Sequence, residues 1–167
     1  MKGVFYFFTT GLLMSFNIFS NGTFDEMAKD MAEKFKAPTI SVKGLEKLMS
    51  LENTVLMDAR ELNEFQVSHI KGAIHVGYKK FDMNKVLSLV KSNSKIIVYC
   101  SVGYRSGDIT SKLKNLGIQS FNLYGGIFNW SNSGKELFNS KGELTNKIHG
   151  FDKSWSKWIT RGNIVFK

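Results

Sequence analysis

Hydrophobic and polar residues along the chain follow two alternating periods, which together predict a mixed fold. Short apolar runs bounded by turn residues indicate buried strands, and they occur at residues 40–42, 55–57, 73–76, 96–99 and 121–123. Between them, apolar residues recur at the spacing of one helix face, at residues 45–51, 61–67, 81–90, 108–116 and 127–130. Strands that alternate with helices predict an α/β fold of three layers, α/β/α, with a mainly parallel central sheet.

Both ends of the chain lie outside this alternating pattern. An amphipathic helix is predicted at residues 24–36, and Pro38, the only proline, ends it. Residues 131–167 are less periodic but contain Trp155 and Trp158, so we expect an extension packed against the domain. The predicted organisation is a leader at 1–22, a helix and linker at 23–38, the α/β domain at 39–133 and a C-terminal extension at 134–167.

The first residues of the chain resemble a secretory signal peptide. One positive charge at Lys2 precedes an apolar run at residues 4–19, and the small residues Ser20 and Gly22 follow it. The run is short for a membrane span, which needs about 20 apolar residues. We therefore expect export to the periplasm or the exterior, with cleavage near Thr23. An uncleaved anchor at residues 4–19, which would bring the chain to a membrane, is the alternative.

The overall charge narrows the function only slightly. The formal net charge is +9 at pH 7, from 23 basic and 14 acidic residues. The lysines are scattered rather than clustered, so the sequence predicts no nucleic-acid partner. A basic surface gives a modest attraction for small anions. Three dispersed histidines and one cysteine provide no metal-ligand spacing, and neither a metal nor another cofactor is expected.

Cys100, the only cysteine, is the strongest candidate for chemistry. It lies between the predicted strand at 96–99 and the predicted helix at 108–116. Backbone N–H groups converge at such a position and the helix dipole favours negative charge, so the sulfur is biased towards its nucleophilic thiolate. Arg105 follows five residues later, where it can hold an anion near the sulfur. These residues indicate a nucleophile for small anionic substrates.

Three motifs resemble those of the rhodanese family of sulfurtransferases, in the family's order across about residues 39–133. They are Leu56-Met-Asp-Ala-Arg60 with its continuation to Ala73, Cys100-Ser-Val-Gly-Tyr-Arg105, and Gly125-Gly126-Ile-Phe-Asn-Trp130. The resemblance implies the rhodanese-like fold and a ping-pong reaction. Cys100 would take sulfane sulfur from thiosulfate or polysulfide as a persulfide, and a thiol or cyanide would remove it. A protein is a further possible acceptor.

The resemblance also implies roles for the residues around the cysteine. Cys100 and Arg105 would be catalytic, with Arg105 orienting the anionic donor. The residues expected to bind substrate are Ser101, Val102, Gly103, Tyr104, Ser106 and Arg60. Gly103 would allow a left-handed turn of the loop, and Ser106 is expected to cap the following helix or to donate a hydrogen bond to the loop. Asp58 would support the site, in an ion pair with Arg60.

Two other functions stay open from the sequence. A phosphatase or arsenate reductase uses a related cysteine loop, but five residues separate its cysteine and arginine, whereas four separate Cys100 from Arg105. The tighter loop suits a sulfur atom better than a tetrahedral oxyanion. The second alternative is a non-catalytic module that carries sulfur or binds a partner protein. Inactive relatives typically lose the loop cysteine, which this chain keeps.

Overall fold

A five-stranded parallel sheet lies at the centre of the computed structural model, which describes residues 22–91 and 93–167. The sheet has the order β1-β5-β4-β2-β3. Its strands are β1 (Thr39–Ile40), β2 (Thr54–Asp58), β3 (Ile74–His75), β4 (Lys95–Tyr99) and β5 (Ser120–Leu123). The helices of this part are α1 (Phe24–Lys34), α2 (Val42–Met49), α3 (Leu62–Val67), α4 (Met83–Leu89), α5 (Tyr104–Asn115) and α6 (Gly126–Asn132). The predicted α/β fold with a parallel sheet is confirmed.

The two faces of the sheet carry two separate hydrophobic clusters. On the central strand β4, Ile97 and Tyr99 belong to one cluster, whereas Ile96 and Val98 belong to the other. Successive side chains of a strand point to opposite faces, so a strand buried on both sides has a continuous apolar sequence. The carboxyl end of β4 therefore emerges between two packed layers, and Cys100 is the first residue beyond it.

The C-terminal extension packs against the same core. Its elements are β6 (Leu137–Phe138), β7 (Leu144–Thr145), β8 (Lys147–His149), α7 (Lys153–Ser156) and β9 (Asn163–Val165). Ile148 and Ile159 are buried in the first cluster, and the rings of Trp155 and Trp158 pack against it. The predicted packed extension is confirmed. The predicted leader lies, apart from Gly22, outside the described residues, and none of the described helices has the length and apolar character of a membrane span.

Helix α2 begins earlier than the sequence predicts. Val42, expected in a strand, is its first residue, and strand β1 ends at Ile40. The Oγ atom of Ser41 accepts a hydrogen bond from the N–H of Gly44 at 3.1 Å and so caps the helix. The cap thus favours a helical conformation at Val42, although the β-branched side chain of Val42 alone favours a strand.

Helix α5 also begins earlier, at Tyr104 rather than at residue 108. Gly103 has φ +107° and ψ −4°, a left-handed conformation that turns the chain directly from the cysteine loop into the helix. Ser106 consequently lies within the first turn, and the prediction that it caps the helix is wrong. The early start brings Arg105 into the first turn, close to the end of β4.

A buried ion pair fixes the carboxyl end of the neighbouring strand β2. Asp58 and Arg60 are both fully buried, and Arg60 Nη2 donates to Asp58 Oδ2 at 2.6 Å. The same nitrogen donates to the carbonyl of Ser68 at 2.6 Å, which joins β2 to the chain after α3. The predicted ion pair is thus present, and it holds α3 beside the cysteine loop.

We expect Asp58→Ala to lower the free energy of unfolding by about 3–5 kcal/mol, because the guanidinium of Arg60 would stay buried without its counterion. Urea denaturation measures this effect. The double variant Asp58→Ala with Arg60→Met, which removes both charges, should lose clearly less stability. Glu33→Ala, which breaks the exposed Lys29–Glu33 pair, is the control and should change stability little. A double variant as unstable as Asp58→Ala would contradict the explanation.

Candidate active site

The sulfur of Cys100 lies at the carboxyl end of β4 inside a tight loop. The N–H of Gly103 donates to Sγ at 3.2 Å, across the left-handed turn that the sequence predicts. Cys100 as a whole is 1% exposed, and it lines a small pocket at the surface of the loop. The sulfur is therefore sheltered from bulk water but lies at the base of an accessible space.

Helix α6 binds the outer side of this loop through its first backbone N–H groups. Ile127 N–H donates to the carbonyl of Cys100 at 2.8 Å, and Phe128 N–H donates to the carbonyl of Ser101 at 3.1 Å. Gly126 allows the approach, because a Cβ atom on it would lie 2.6 Å from the Ser101 carbonyl oxygen. In a trans peptide the carbonyl and the following N–H point in opposite directions. With the carbonyls of Cys100 and Ser101 bound by α6, the N–H groups of Ser101 and Val102 point away from that helix.

Asn122, on β5, holds the loop in place through two side-chain hydrogen bonds. Its Nδ2 donates to the carbonyl of Gly103 at 2.9 Å, and Ser106 Oγ donates to its Oδ1 at 2.7 Å. Asn122 is 1% exposed, and Gly103 and Ser106 are buried with it. The sequence analysis gave Asn122 no role. A polar residue between Phe121 and Leu123 in a buried strand does, however, indicate a side chain that needs hydrogen-bond partners inside the protein.

The pKa of the Cys100 thiol is lower than its usual value. Burial raises this pKa, but the positive charge of Arg105 and hydrogen bonds from Ser106 and Gly103 together outweigh burial. Each of the three favours the ionised sulfur. The direction agrees with the thiolate that the sequence predicts, and it increases the ionised, nucleophilic fraction of Cys100.

Arg105 does not project freely towards the pocket but forms a paired hydrogen bond with Glu64. Its Nη1 donates to Glu64 Oε2 at 2.6 Å and its Nη2 to Oε1 at 2.8 Å, while Nη2 also donates to Ser101 Oγ at 2.9 Å. Burial raises the pKa of Glu64, but the hydrogen bonds and charge of Arg105 outweigh it, so that pKa is lowered. Glu64 is therefore an anion at neutral pH.

Glu64 is the functional residue that the sequence analysis missed most clearly. It lies within the first motif, and only 2% of it is exposed. Its Oε2 also accepts the N–H of Glu61 at 3.0 Å, in a capping box at the start of α3. The spacing of Glu61 and Glu64 is the sequence signal of such a box. Helix α3 thus positions the carboxylate that orients Arg105.

The pocket above the sulfur has a volume of about 120 Å³. The loop residues Ser101, Val102, Tyr104 and Arg105 line it together with Cys100, and the extension adds Phe151 and Trp155. The extension's contribution was not predicted, because those residues are distant in sequence from every motif.

The remaining candidate residues lie beneath the pocket rather than around it. Gly103 and Ser106 approach the sulfur from the buried side. Asp58 and Arg60 are fully buried in their ion pair, and Arg60 is not among the residues that line the pocket. In the described part of the chain, no three histidine, cysteine or carboxylate side chains are grouped to hold a metal ion.

Comparison with known proteins identifies the domain that carries this site. The family described as the rhodanese-like domain matches residues 41–133, which is more than half of the chain. This match confirms the family resemblance that the three motifs indicate. It includes the cysteine loop, Glu64 and helix α6, but it ends before the extension.

Curated relatives share this domain at low identity. The chain is 31% identical over 72 residues to a tRNA sulfurtransferase of Thermoplasma volcanium, covering 43% of this chain and 14% of that protein. It is 30% identical over 94 residues to a thiosulfate:glutathione sulfurtransferase of Saccharomyces cerevisiae, covering 49% and 68%. A tRNA uridine(34) hydroxylase of Buchnera aphidicola is 25% identical over 144 residues, covering 83% and 46%. The chain thus spans less than half the length of two of these relatives.

Solved structures show the same fold. Thiosulfate sulfurtransferase from Pseudomonas aeruginosa superimposes with a TM-score of 0.60 at 23% identity, covering 81% of this chain and 26% of that one. A rhodanese-related protein from Thermoplasma volcanium gives a TM-score of 0.53 at 22% identity, covering 60% and 96%. At these identities the comparison shows the rhodanese-like fold alone.

We expect Glu64→Gln to lower the pKa of Cys100 further, because the carboxylate no longer offsets the positive charge of Arg105. The rate of Cys100 alkylation by iodoacetamide, measured against pH, should have its midpoint at lower pH than in the wild type. Arg105→Met should move the midpoint to higher pH. Glu52→Gln, at an exposed position, is the control and should leave it unchanged. A midpoint raised by Glu64→Gln would contradict this electrostatic role.

Proposed function

Since the chain belongs to the rhodanese-like family, we propose that it is a sulfurtransferase that carries sulfane sulfur on Cys100. The observation that carries the proposal is the single cysteine with a lowered pKa, held at the base of a pocket by the amide of Gly103. Such a sulfur ionises more readily than a free thiol, and its thiolate attacks an electrophilic sulfur atom. A relative named thiosulfate:glutathione sulfurtransferase supports thiosulfate as a donor and a thiol as an acceptor.

The first half-reaction forms the persulfide. The Cys100 thiolate attacks the outer sulfur of thiosulfate, the S–S bond of the donor breaks, and its electron pair leaves with sulfite. The product is a Cys100 persulfide with one negative charge, close to the N–H of Gly103 and to Arg105. Donors already fixed by α6 and Asn122 stabilise this charge without rearrangement.

The second half-reaction returns the cysteine to its starting state. A thiolate or cyanide ion attacks the outer sulfur of the persulfide, the S–S bond breaks, and its electron pair stays on the sulfur of Cys100. Since the thiolate of Cys100 is stabilised by its surroundings, it is a good leaving group in this step. The same charge arrangement therefore serves both halves of the reaction.

We further propose that the protein is exported, on the strength of the leader-like residues 1–22. N-terminal sequencing of the mature protein tests this directly. A new N-terminus near Thr23 is the expected result, and a retained Met1 in a membrane fraction would favour the anchor.

We expect the protein to gain the mass of one sulfur atom when it is incubated with thiosulfate, and cyanide should remove that sulfur as thiocyanate. Intact-mass spectrometry measures both steps. Cys100→Ser should gain nothing, because serine provides no thiolate. Many turnovers with cyanide or a small thiol would distinguish an enzyme from a single-turnover carrier. Turnover of an aryl phosphate without any sulfur loading would contradict the proposal and favour the phosphatase.

A further inference from the structure

Strand β9 has one edge to which no other strand of the described chain is bonded. It pairs in parallel with β8 alone. The N–H of Asn163 donates to the carbonyl of Asn146 at 2.7 Å. The carbonyl of Val165 accepts the N–H of Gly150 at 2.9 Å. Because alternate residues of a strand face the same neighbour, Ile164 presents its N–H and its carbonyl on the open edge. A further strand can pair there.

The open edge lacks the features that usually protect such a strand. Native edge strands carry charged side chains, proline or a bulge, or another element covers them. The three residues of β9 include neither a charged residue nor a proline. Ile164 is 39% exposed, and Phe166, which follows the strand, is 44% exposed. An open backbone edge next to apolar side chains is what binds an extended peptide as an added strand.

This edge lies beside the entrance to the cysteine pocket. Gly150, which follows β8, packs against both apolar side chains. A Cβ atom on it would lie 2.8 Å from Ile164 Cγ2 and 2.9 Å from Phe166 Cε1. The next residue, Phe151, is 46% exposed and lines the pocket above Cys100. The exposed side chains of Ile164, Phe166 and Phe151, here called the β9 patch, thus lead from the open edge to the pocket.

The segment that carries the β9 patch is positively charged. Residues 146–167 contain one acidic residue, Asp152, and five basic residues, all exposed, which are Lys147, Lys153, Lys157, Arg161 and Lys167. Asp152 is engaged at the start of α7, where its Oδ1 accepts the N–H groups of Ser154 and Trp155. A negatively charged partner is attracted to this segment, whereas a second copy of the chain carries the same positive charge and is repelled.

A peptide fits the open edge better than a nucleic acid does. The edge offers both a donor and an acceptor, the N–H and the carbonyl of Ile164. The backbone of another strand supplies the complement of both groups. A phosphate only accepts hydrogen bonds, so it would leave the carbonyl of Ile164 facing a negative charge. The backbone and the charge together therefore favour an acidic chain in extended conformation.

We propose that an extended, acidic segment of a partner protein binds to β9 as an added strand, beside the pocket that contains Cys100. Its backbone pairs with Ile164, its apolar side chains contact Phe166 and Phe151, and its carboxylates lie near the exposed basic residues. The partner is thereby held at the entrance to the pocket. The inference concerns binding alone and needs no step of sulfur chemistry.

The test measures binding of a labelled seven-residue peptide, in which glutamate alternates with valine, to the full protein by fluorescence anisotropy. We expect saturable binding that weakens as salt is added, because salt screens the attraction between the carboxylates and the basic segment. The same peptide with lysine in place of glutamate should bind on the order of 10-fold more weakly. A glutamate peptide with N-methylated backbone amides should also lose binding, because it cannot donate to the edge of β9.

Variants of β9 test the open edge itself. Ile164→Pro removes the N–H that points away from β8, and proline is tolerated on such an edge, so the pairing with β8 should persist. The variant should bind the glutamate peptide about 5-fold more weakly or worse, the effect of one lost hydrogen bond. Ile164→Val keeps the N–H and is the matched control. Urea denaturation verifies that both variants fold.

A pair of charge reversals tests the basic segment. Lys167→Glu, directly after Phe166, should weaken binding of the glutamate peptide several-fold, because it places a negative charge beside the peptide's carboxylates. Lys91→Glu, at an exposed position before the amino end of β4, makes the same change of net charge and should leave binding nearly unchanged.

Several outcomes would overturn the inference. These are the absence of saturable binding, equal binding of the glutamate and lysine peptides, and equal binding by Ile164→Pro and Ile164→Val. A single-stranded oligonucleotide that binds more tightly and displaces the peptide would identify a nucleic-acid surface instead. A dimer that Ile164→Pro dissociates, measured by sedimentation, would identify a second copy as the occupant. Cys100→Ser should bind the peptide like the wild type, so failure of this surface and failure of the sulfurtransferase are distinguishable.

Discussion

The direction in which the loop after β4 presents its amides determines what the sulfur can do. The carbonyls of Cys100 and Ser101 are bound by the first N–H groups of α6, and the carbonyl of Gly103 is bound by Asn122. With these acceptors occupied, the loop cannot turn over without losing hydrogen bonds inside a packed core. The amide of Gly103, which donates to the sulfur at 3.2 Å, lies between these fixed peptide groups. The donors are in place before charge develops.

Two ion pairs near the cysteine have different roles. The first pair, Asp58 and Arg60, is fully buried and connects β2 to the segment after α3. In the second pair, Arg105 lines the pocket and lowers the pKa of Cys100, while Glu64 binds Arg105 and offsets part of its positive charge. Since α3 carries Glu64, the buried pair indirectly fixes the position of Arg105. The Asp58–Arg60 pair holds the backbone around the site in place, and the Glu64–Arg105 pair affects the ionisation of the sulfur.

The sequence predicted the sheet, the cysteine loop and the nucleophile because each is encoded locally. A buried parallel strand needs a continuous apolar run, and the loop needs a cysteine, a glycine for the turn and a nearby arginine. Glu64 and Asn122 were missed because their partners, Arg105 and the carbonyl of Gly103, are brought to them only by the fold. Helix α5 begins earlier than predicted, because the left-handed turn at Gly103 allows the helix to start at the next residue.

The cysteine loop lies inside the residues that match the family, whereas the pocket wall formed by the extension lies outside them. Phe151 and Trp155 lie beyond the match, in a segment where the pocket rather than the nucleophile is shaped. Differential contact with the part of a donor that does not react is what separates one substrate from another. The residues of this wall therefore bear on which donor the site accepts.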